Sequence, residues 1–331
     1  MRRRDFIRLV SGVAAPVAIS TSLFAQAAPK LLVWMGAFPI PPMPQRKFFG
    51  FLAAFQDGMR EQGQIEGRDF TIAVRTGQGI ADLPRLVDEI VELKPDVIVA
   101  AATLEAVAAK KGTSTIPIVC PALADAVHLG LIESEARPGG NITGVEPYIG
   151  GLPAKQIELA LEIVTGATKI GLLTNNRDPK GPPQVRDLEA AAKTLGLTLV
   201  SANADLPEEI GPALDRLVSE KVDVAIVLQT NVLLLNGSVI ADVAAKNRLP
   251  TVFGYREHIQ MGGLISYGVD LRWCYRRGAY FAVKILKGAK PGELPIEFPT
   301  SFWLAINLRT AKSIGANVSP SLLARADEVI E

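Results

Sequence analysis

The sequence predicts an α/β protein of two Rossmann-like lobes with parallel sheets, joined by a three-crossing hinge. Three observations carry this. Strand-type and helix-type apolar runs alternate along the chain, which is the pattern of βαβ units. The chain also matches itself: Lys94-Pro95-Asp96-Val97 returns as Lys221-Val222-Asp223-Val224, and Thr103 and Thr230 keep the same offset. Ile116-Pro117-Ile118-Val119 likewise mirrors Leu249-Pro250-Thr251-Val252. Lastly, Thr251–Phe253 and Leu264–Tyr267 are short β-type runs flanking a polar segment and the pair Gly262-Gly263. They read as the last strand of one lobe, a hinge, and a strand of the other lobe. Gly254-Tyr255 and Tyr267-Gly268 would then face each other across a cleft.

The elements follow in order. Lys30–Gly36 is an apolar strand ending at a glycine. Pro39, Pro41, Pro42 and Pro44 forbid helix or central strand after it. Phe48, Phe51, Leu52, Phe55 and Met59 recur at the spacing of one buried helix face, closed by Gly63 and Gly67. Phe70–Arg75 alternates as a strand. Asp82 suits an N-cap ahead of a helix face of Leu83, Leu86, Val87, Ile90 and Val91. Asp96–Ala102 and Ile116–Cys120 are continuous apolar runs, as in parallel strands buried on both faces.

Pro138-Gly139-Gly140-Asn141 signals a turn, with a short strand Ile142–Val145 before the first crossing. Helices near Pro153–Val164, Pro183–Leu195, Pro207–Glu220 and Val239–Asn247 then alternate with strands Lys169–Thr174, Leu197–Ser201, Asp223–Leu228 and Thr251–Phe253. A helix over Leu271–Lys287 ends at Gly288; Pro291–Pro299 is a linker and Phe302–Asn307 a last strand, before short helices Ala311–Ile314 and Leu322–Ile330. The expected crossings lie near Val145, Gln260 and Gly292. One lobe takes residues 28–145 and 260–290, the other 146–259 and 291–331.

Length and composition fit this division. At 331 residues two domains are the prior, and 48% hydrophobic content supports packed cores. A formal charge of +1 points to no nucleic-acid partner. Arg2-Arg3-Arg4-Asp5-Phe6-Ile7-Arg8, the apolar stretch Leu9–Phe24 and Ala25-Gln26-Ala27 form a cleavable export signal over residues 1–27. Arg3-Arg4 with Phe6-Ile7 fits the twin-arginine pattern. A membrane anchor is the other reading, but Gly12 and Pro16 interrupt a stretch too short to span. Removing residues 1–27 takes away four arginines and one aspartate, so the net charge falls from +1 to −2. Export permits a disulfide between Cys120 and Cys274, and two small buried residues serve as well.

Four stretches carry a family resemblance: Arg137-Pro-Gly-Gly-Asn-Ile-Thr-Gly144, Leu249-Pro-Thr-Val-Phe-Gly-Tyr-Arg256, Gly262-Gly-Leu-Ile-Ser-Tyr-Gly268 and Ser321-Leu-Leu-Ala-Arg-Ala-Asp-Glu328. With them the chain resembles the ABC-transporter substrate-binding proteins of the tryptophan/tyrosine-binding-like group. The resemblance implies the type I periplasmic-binding-protein clamshell. It also implies a periplasmic monomer that captures a small-molecule solute by lobe closure and delivers it to an ABC permease in the inner membrane. An aromatic amino acid or related aromatic acid is the solute the relatives suggest, and no cofactor is implied. The chain departs from the group's Ala/Thr-Asp-Pro pattern at Ala124-Asp125-Ala126.

In such a fold, ligands bind outside the carboxyl ends of the strands. Thr103 opens a helix whose first N–H groups suit a carboxylate, or is simply an N-cap. Asp125 accepts from a ligand ammonium or hydroxyl, or serves its turn. Asn175, Asn176, Thr230 and Asn231, at the ends of two second-lobe strands, offer donors and acceptors to a ligand or to local turns. Tyr255 and Tyr267 stack on a planar ligand or pack the lobes together. Asp270 meets an ammonium or caps the next helix. Trp34 and Phe38 are weaker stacking candidates. Catalytic signals are thin: there is no G-x-S-x-G elbow, P-loop or G-x-G-x-x-G, and His128 and His258 lie in no short-spaced metal-ligand cluster. An enzyme in the same cleft and a periplasmic sensor feeding a membrane receptor are the competing functions.

Overall fold

A computed structural model describes residues 28–40 and 50–331. The expected export signal and the start of the helix expected from Phe48 lie outside the described residues. The first sheet holds β1 (Lys30–Gly36), β2 (Phe70–Thr76), β3 (Val97–Ala100), β4 (Ile118–Cys120) and β5 (Ile142–Gly144). Its order is β2-β1-β3-β4-β5, and every pair is parallel. Between the strands run α1 (Phe51–Glu61), α2 (Leu83–Glu92) and α3 (Thr103–Gly112).

The second lobe runs α4 (Leu152–Ile163), β6 (Lys169–Thr174), α5 (Gly181–Thr194), β7 (Thr198–Asn203), α6 (Ile210–Ser219) and β8 (Val224–Val227). Next come α7 (Asn231–Leu235), α8 (Gly237–Lys246), β9 (Thr251–Phe253), α9 (Glu257–Gln260), β10 (Ile265–Val269) and α10 (Leu271–Leu286). The chain closes with β11 (Phe302–Asn307), α11 (Leu308–Ile314), α12 (Pro320–Leu323) and β12 (Glu328–Ile330). The second sheet has the order β12-β11-β10-β9-β8-β6-β7, antiparallel at β10–β11 and parallel elsewhere.

The internal sequence match is a structural one. Lys94 and Lys221 both take a left-handed turn, at φ 47° and 53°. Two residues later, Asp96 accepts the Leu31 N–H at 2.8 Å, and Asp223 accepts the Thr168 and Lys169 N–H groups at 2.9 Å. Each carboxylate thus ties a strand's entry to the strand beside it. The two prolines agree as well: Pro117 and Pro250 cannot donate, and their carbonyls accept from Ile98 and Ala225.

Three placements differ from expectation. The run Leu264–Tyr267 was expected in the first lobe; its strand β10 instead pairs with β9 and β11 inside the second sheet. The α9 turn supplies the crossover that a parallel β9–β10 pair requires. The chain leaves this lobe at Asp270, not near Gln260, and α10 then packs on α1, where Gly58 lets the helices meet: a Cβ there would stand 2.5 Å from the Arg276 carbonyl. Pro291–Glu297 also stays on the first lobe past Gly292: Ile296 donates to the Glu135 carbonyl, and Glu297 pairs with Val145. The expected helix over Leu322–Ile330 divides. Ser319 caps the short α12, and the chain then extends as β12, where Asp327 accepts the Leu304 N–H at 2.8 Å.

Apolar residues cover both faces of each sheet. The cluster formed by α1, α10 and the first sheet also takes in Leu234 and Tyr255 from the second lobe. The lobes are therefore packed against each other along the strand ends. No helix among the described residues is long and apolar enough to cross a membrane.

Candidate functional site

Between the lobes lies a cavity of about 310 Å³. Its first-lobe wall is aromatic: Trp34 near the end of β1, Phe38 beyond it, Phe51 at the start of α1 and Tyr275 on α10. Tyr275 stacks on Phe51 at 4.6 Å and on Trp34 at 5.7 Å between ring centroids. Its hydroxyl donates to the Ala101 carbonyl at 2.7 Å, which fixes the ring. The second lobe contributes Asn231, Leu234 and Leu235 from α7.

Behind Asn231 lies a buried polar network. The Asn231 N–H donates to Asp178 Oδ2 at 2.9 Å, and its Oδ1 accepts from Lys180 Nζ at 2.7 Å. Asp178 Oδ1 accepts the Lys180 N–H at 3.0 Å, and the two charged groups stand 3.7 Å apart at 2% and 4% side-chain exposure. Gln184 closes the network: it donates to the Lys180 and Gln229 carbonyls and accepts the Gln229 N–H. A buried charge persists only when paired and hydrogen-bonded, and this one is both. Burial works against the Lys180 charge, but Asp178, Tyr255 and Glu105 outweigh it and hold the ammonium above the usual lysine range. Across the interface Glu105 accepts the Ala37 N–H at 2.8 Å and the Ala102 N–H at 3.1 Å. Its burial nonetheless pushes the carboxyl upward.

Of the nine residues expected at the site, the structure brings Asn231 to the cavity wall. Thr103, Thr230 and Tyr255 lie one layer behind it. Thr103 opens α3 but spends its hydroxyl on the Ala122 carbonyl at 3.2 Å. Thr230 is the N-cap position of α7, and its buried hydroxyl has no partner among the described residues. Tyr255 is buried, 5.9 Å from the His258 ring, and desolvation pushes its phenol up to about 12. The other five are not among the described residues that line the cavity. Asn175 Oδ1 accepts from the Arg177 and Asp178 N–H groups, and the Asn176 N–H donates to Asn203 and Asp205. Tyr267 stacks on Phe302 within the second lobe. Asp270 caps α10, accepting from Arg272 and Trp273. Asp125 sits in a left-handed turn at φ 53°, donates its N–H to Glu146 and faces Arg186.

Lys180, Phe51 and Tyr275 are not singled out by the sequence as site residues. Lys180 precedes Gly181-Pro182-Pro183, a helix start just past a strand end, and that placement was the available signal. Tyr275 sits at a helix-face position that reads equally as core.

Nucleophile chemistry finds little support. Burial pushes both free thiols, Cys120 and Cys274, upward and the buried His258 down to about 4. Among the described residues no group of three or more His, Cys, Asp and Glu side chains could hold a metal ion.

Two α/β lobes closing on an aromatic-walled cavity define a two-lobed solute-binding protein. Residues 49–330 match the family model for ABC transporter substrate binding protein, and the chain belongs to that family. A protein named tyrosine-binding protein, from Clostridioides difficile (strain R20291), is 28% identical over 268 residues, spanning 80% of this chain and 75% of its own. The crystal structure of a conserved domain protein from Vibrio cholerae is similar at a TM-score of 0.83 and 26% identity, over 91% of this chain and 99% of that one. An ABC domain in complex with L-Trp, from Streptococcus pneumonia, shares the fold at a TM-score of 0.83 and 23% identity, over 92% and 100% of the two chains.

Proposed function

We propose that this chain is the exported, extracytoplasmic solute-binding component of an ABC importer. It captures a small aromatic solute by lobe closure and presents the closed form to a permease. The carrying observation is the cavity itself: an aromatic wall of Trp34, Phe51 and Tyr275 on one lobe faces a single polar side chain, Asn231, on the other. Rings of this kind favour offset or edge contact with a planar solute. A relative named for tyrosine and a fold neighbour complexed with L-Trp support an aromatic amino acid or related acid as the solute class. Asn231 touches the solute, while Thr103, Thr230 and Tyr255 brace the wall from behind. The ligand selects the closed form because only that form pairs both lobes with it.

A thermal-shift screen of aromatic acids, amino acids, nucleosides and sugars tests this. A ligand at 100 times its dissociation constant adds about 2.7 kcal/mol of stability. A clear shift with a sugar and none with any aromatic compound would sink the proposal. Export is tested separately, by the mass of the N-terminal peptide of protein recovered from the periplasm; a mature chain beginning near Ala28 is expected.

A further inference from the structure

We propose that the solute is an aromatic carboxylate without an ammonium group, its acid held by the Asn231 amide, which Lys180 orients with its donors toward the cavity. This rests on the reading of the interlobe cavity as the solute site.

An ammonium has donors and no acceptor, so the bond from Lys180 Nζ fixes Oδ1 as the end of the Asn231 amide that points away from the cavity. Nδ2, with two N–H donors, is the end left free. Among the described residues it has no protein partner, and Asn231 lines the cavity. The neighbouring backbone donors are already used: the Asn231 N–H on Asp178, the Ala101 N–H on the Met35 carbonyl and the Ala102 N–H on Glu105. The polar end of the cavity thus presents a donor, with a buried cation one residue behind it. Helix α3 begins directly behind Ala101 and Ala102, and the positive end of its dipole adds to the same field.

For an ammonium the wall offers a neutral acceptor: Gln56 donates Nε2 to Glu66 at 3.0 Å on the exposed side, which leaves its Oε1 free, an amide oxygen rather than a carboxylate. No Asp or Glu lines the cavity among the described residues. Residues 41–49, which join the lining stretches ending at Ile40 and beginning at Gly50, contain no acid in their sequence. The carboxylates behind the wall are engaged, Asp178 by two backbone N–H groups and Lys180, Glu105 by two backbone N–H groups, and Glu66 by Gln56. An amino acid in this cavity would bring its ammonium to a wall that offers no carboxylate among the described residues, and a buried charge without a charged partner is costly. Lys180 is therefore a positioning residue that reads the charge class of the solute through Asn231.

Calorimetry on the mature chain with matched ligands tests this: 3-phenylpropionate, L-phenylalanine, 2-phenylethylamine and 3-phenylpropionamide, and the indole counterparts. The acid should bind at least tenfold tighter than the amino acid, and the amine weakest. An amino acid that equals or exceeds its matched acid would overturn the inference and leave the aromatic-solute reading standing. Binding by no member of either series would remove that reading and this one together. Asn231→Ala should reduce the preference for the acid over its amide to less than about threefold, with the circular dichroism unchanged; a preserved preference counts against Asn231 as the reader. Lys180→Met should weaken the acid at least tenfold and the amide much less. If Lys180→Met does not fold, the ligand series on the native chain still decides.

Discussion

The Arg186 guanidinium on α5 stands 3.9 Å from the Asp125 carboxylate of the first lobe, so the two charges meet across the lobe boundary. On the same side the Tyr148 hydroxyl donates to Asp187, the next residue of α5. Asp125 is not among the described residues that line the cavity. Exposed ion pairs contribute about 0–1 kcal/mol, which is at most about a fivefold effect on an equilibrium. Asp125→Ala and Arg186→Ala should each weaken solute binding by less than about fivefold, and the double variant no more than either single one. Calorimetric titration checks this. A tenfold loss confined to Asp125→Ala would put that carboxylate on the solute.

Trp34 is 5% exposed and walls the cavity, whereas Trp273 is 40% exposed and lines, with Trp303, a different pocket near Asp270. Saturating solute should therefore shift Trp34 emission. The change should vanish in Trp34→Phe and persist in Trp273→Phe. Binding that left wild-type emission untouched would place the solute elsewhere.

Much of the fold is legible in the chain because parallel strands buried on both faces leave continuous apolar runs. The repeated Lys-x-Asp-Val marks a turn whose carboxylate serves the same purpose in both lobes. Lobe membership of a single strand is another matter. Nothing local in Leu264–Tyr267 distinguishes joining the free edge of β9 from crossing back, and the outcome depends on pairing partners distant in sequence. The site was less legible still. In the sequence Asn231 is one of several polar residues past strand ends, no more prominent than Thr230; Thr103 and Asn175 share that position and spend their side chains on nearby backbone. Lys180 reads as a surface lysine until Asp178 and Asn231 are seen around it.

Gly268 and Gly254 are neighbours within one sheet, not partners across a cleft. A Cβ on Gly268 would stand 1.8 Å from the Gly254 carbonyl oxygen, which already accepts from Gln229 Nε2 at 2.6 Å. Backbone inside a sheet cannot give way as a side chain does. Gly268→Ala should therefore cost on the order of 3–5 kcal/mol, at the severe end of single substitutions. Gly211, near the start of α6, is the control: a Cβ there meets nothing within 4 Å. Gly211→Ala should cost less than about 1 kcal/mol, because the helix propensity gained is set against the crowding of a Cβ by the Pro212 ring. Urea melts of both variants test the contrast, and a Gly268→Ala protein of wild-type stability would show that the strands β9 and β10 can separate.

Adjacent residues of α9 make stability depend on pH with opposite signs. Burial pushes Glu257 up to about 7, Asp270 adds to this, and Arg272 and Arg256 oppose it; its Oε2 has no partner among the described residues. Burial lowers His258 to about 4. Between about pH 4.5 and 7 the folded chain binds more protons at Glu257 than the unfolded chain, so stability from this group declines as pH rises through 7. Between about pH 4 and 6.5 the unfolded chain binds more protons at His258, so stability from this group rises with pH and is complete above 6.5. Glu257→Gln removes only the first dependence. Relative to wild type it should gain about 2–3 kcal/mol on going from pH 5 to pH 8, because a tenfold change in proton affinity between the folded and unfolded chains is worth about 1.4 kcal/mol. Comparing the two pH values cancels any packing cost of the amide. Urea midpoints for both proteins at both pH values provide the measurement, and wild-type and variant curves that stay parallel would mean that Glu257 is ionised without penalty in the folded chain.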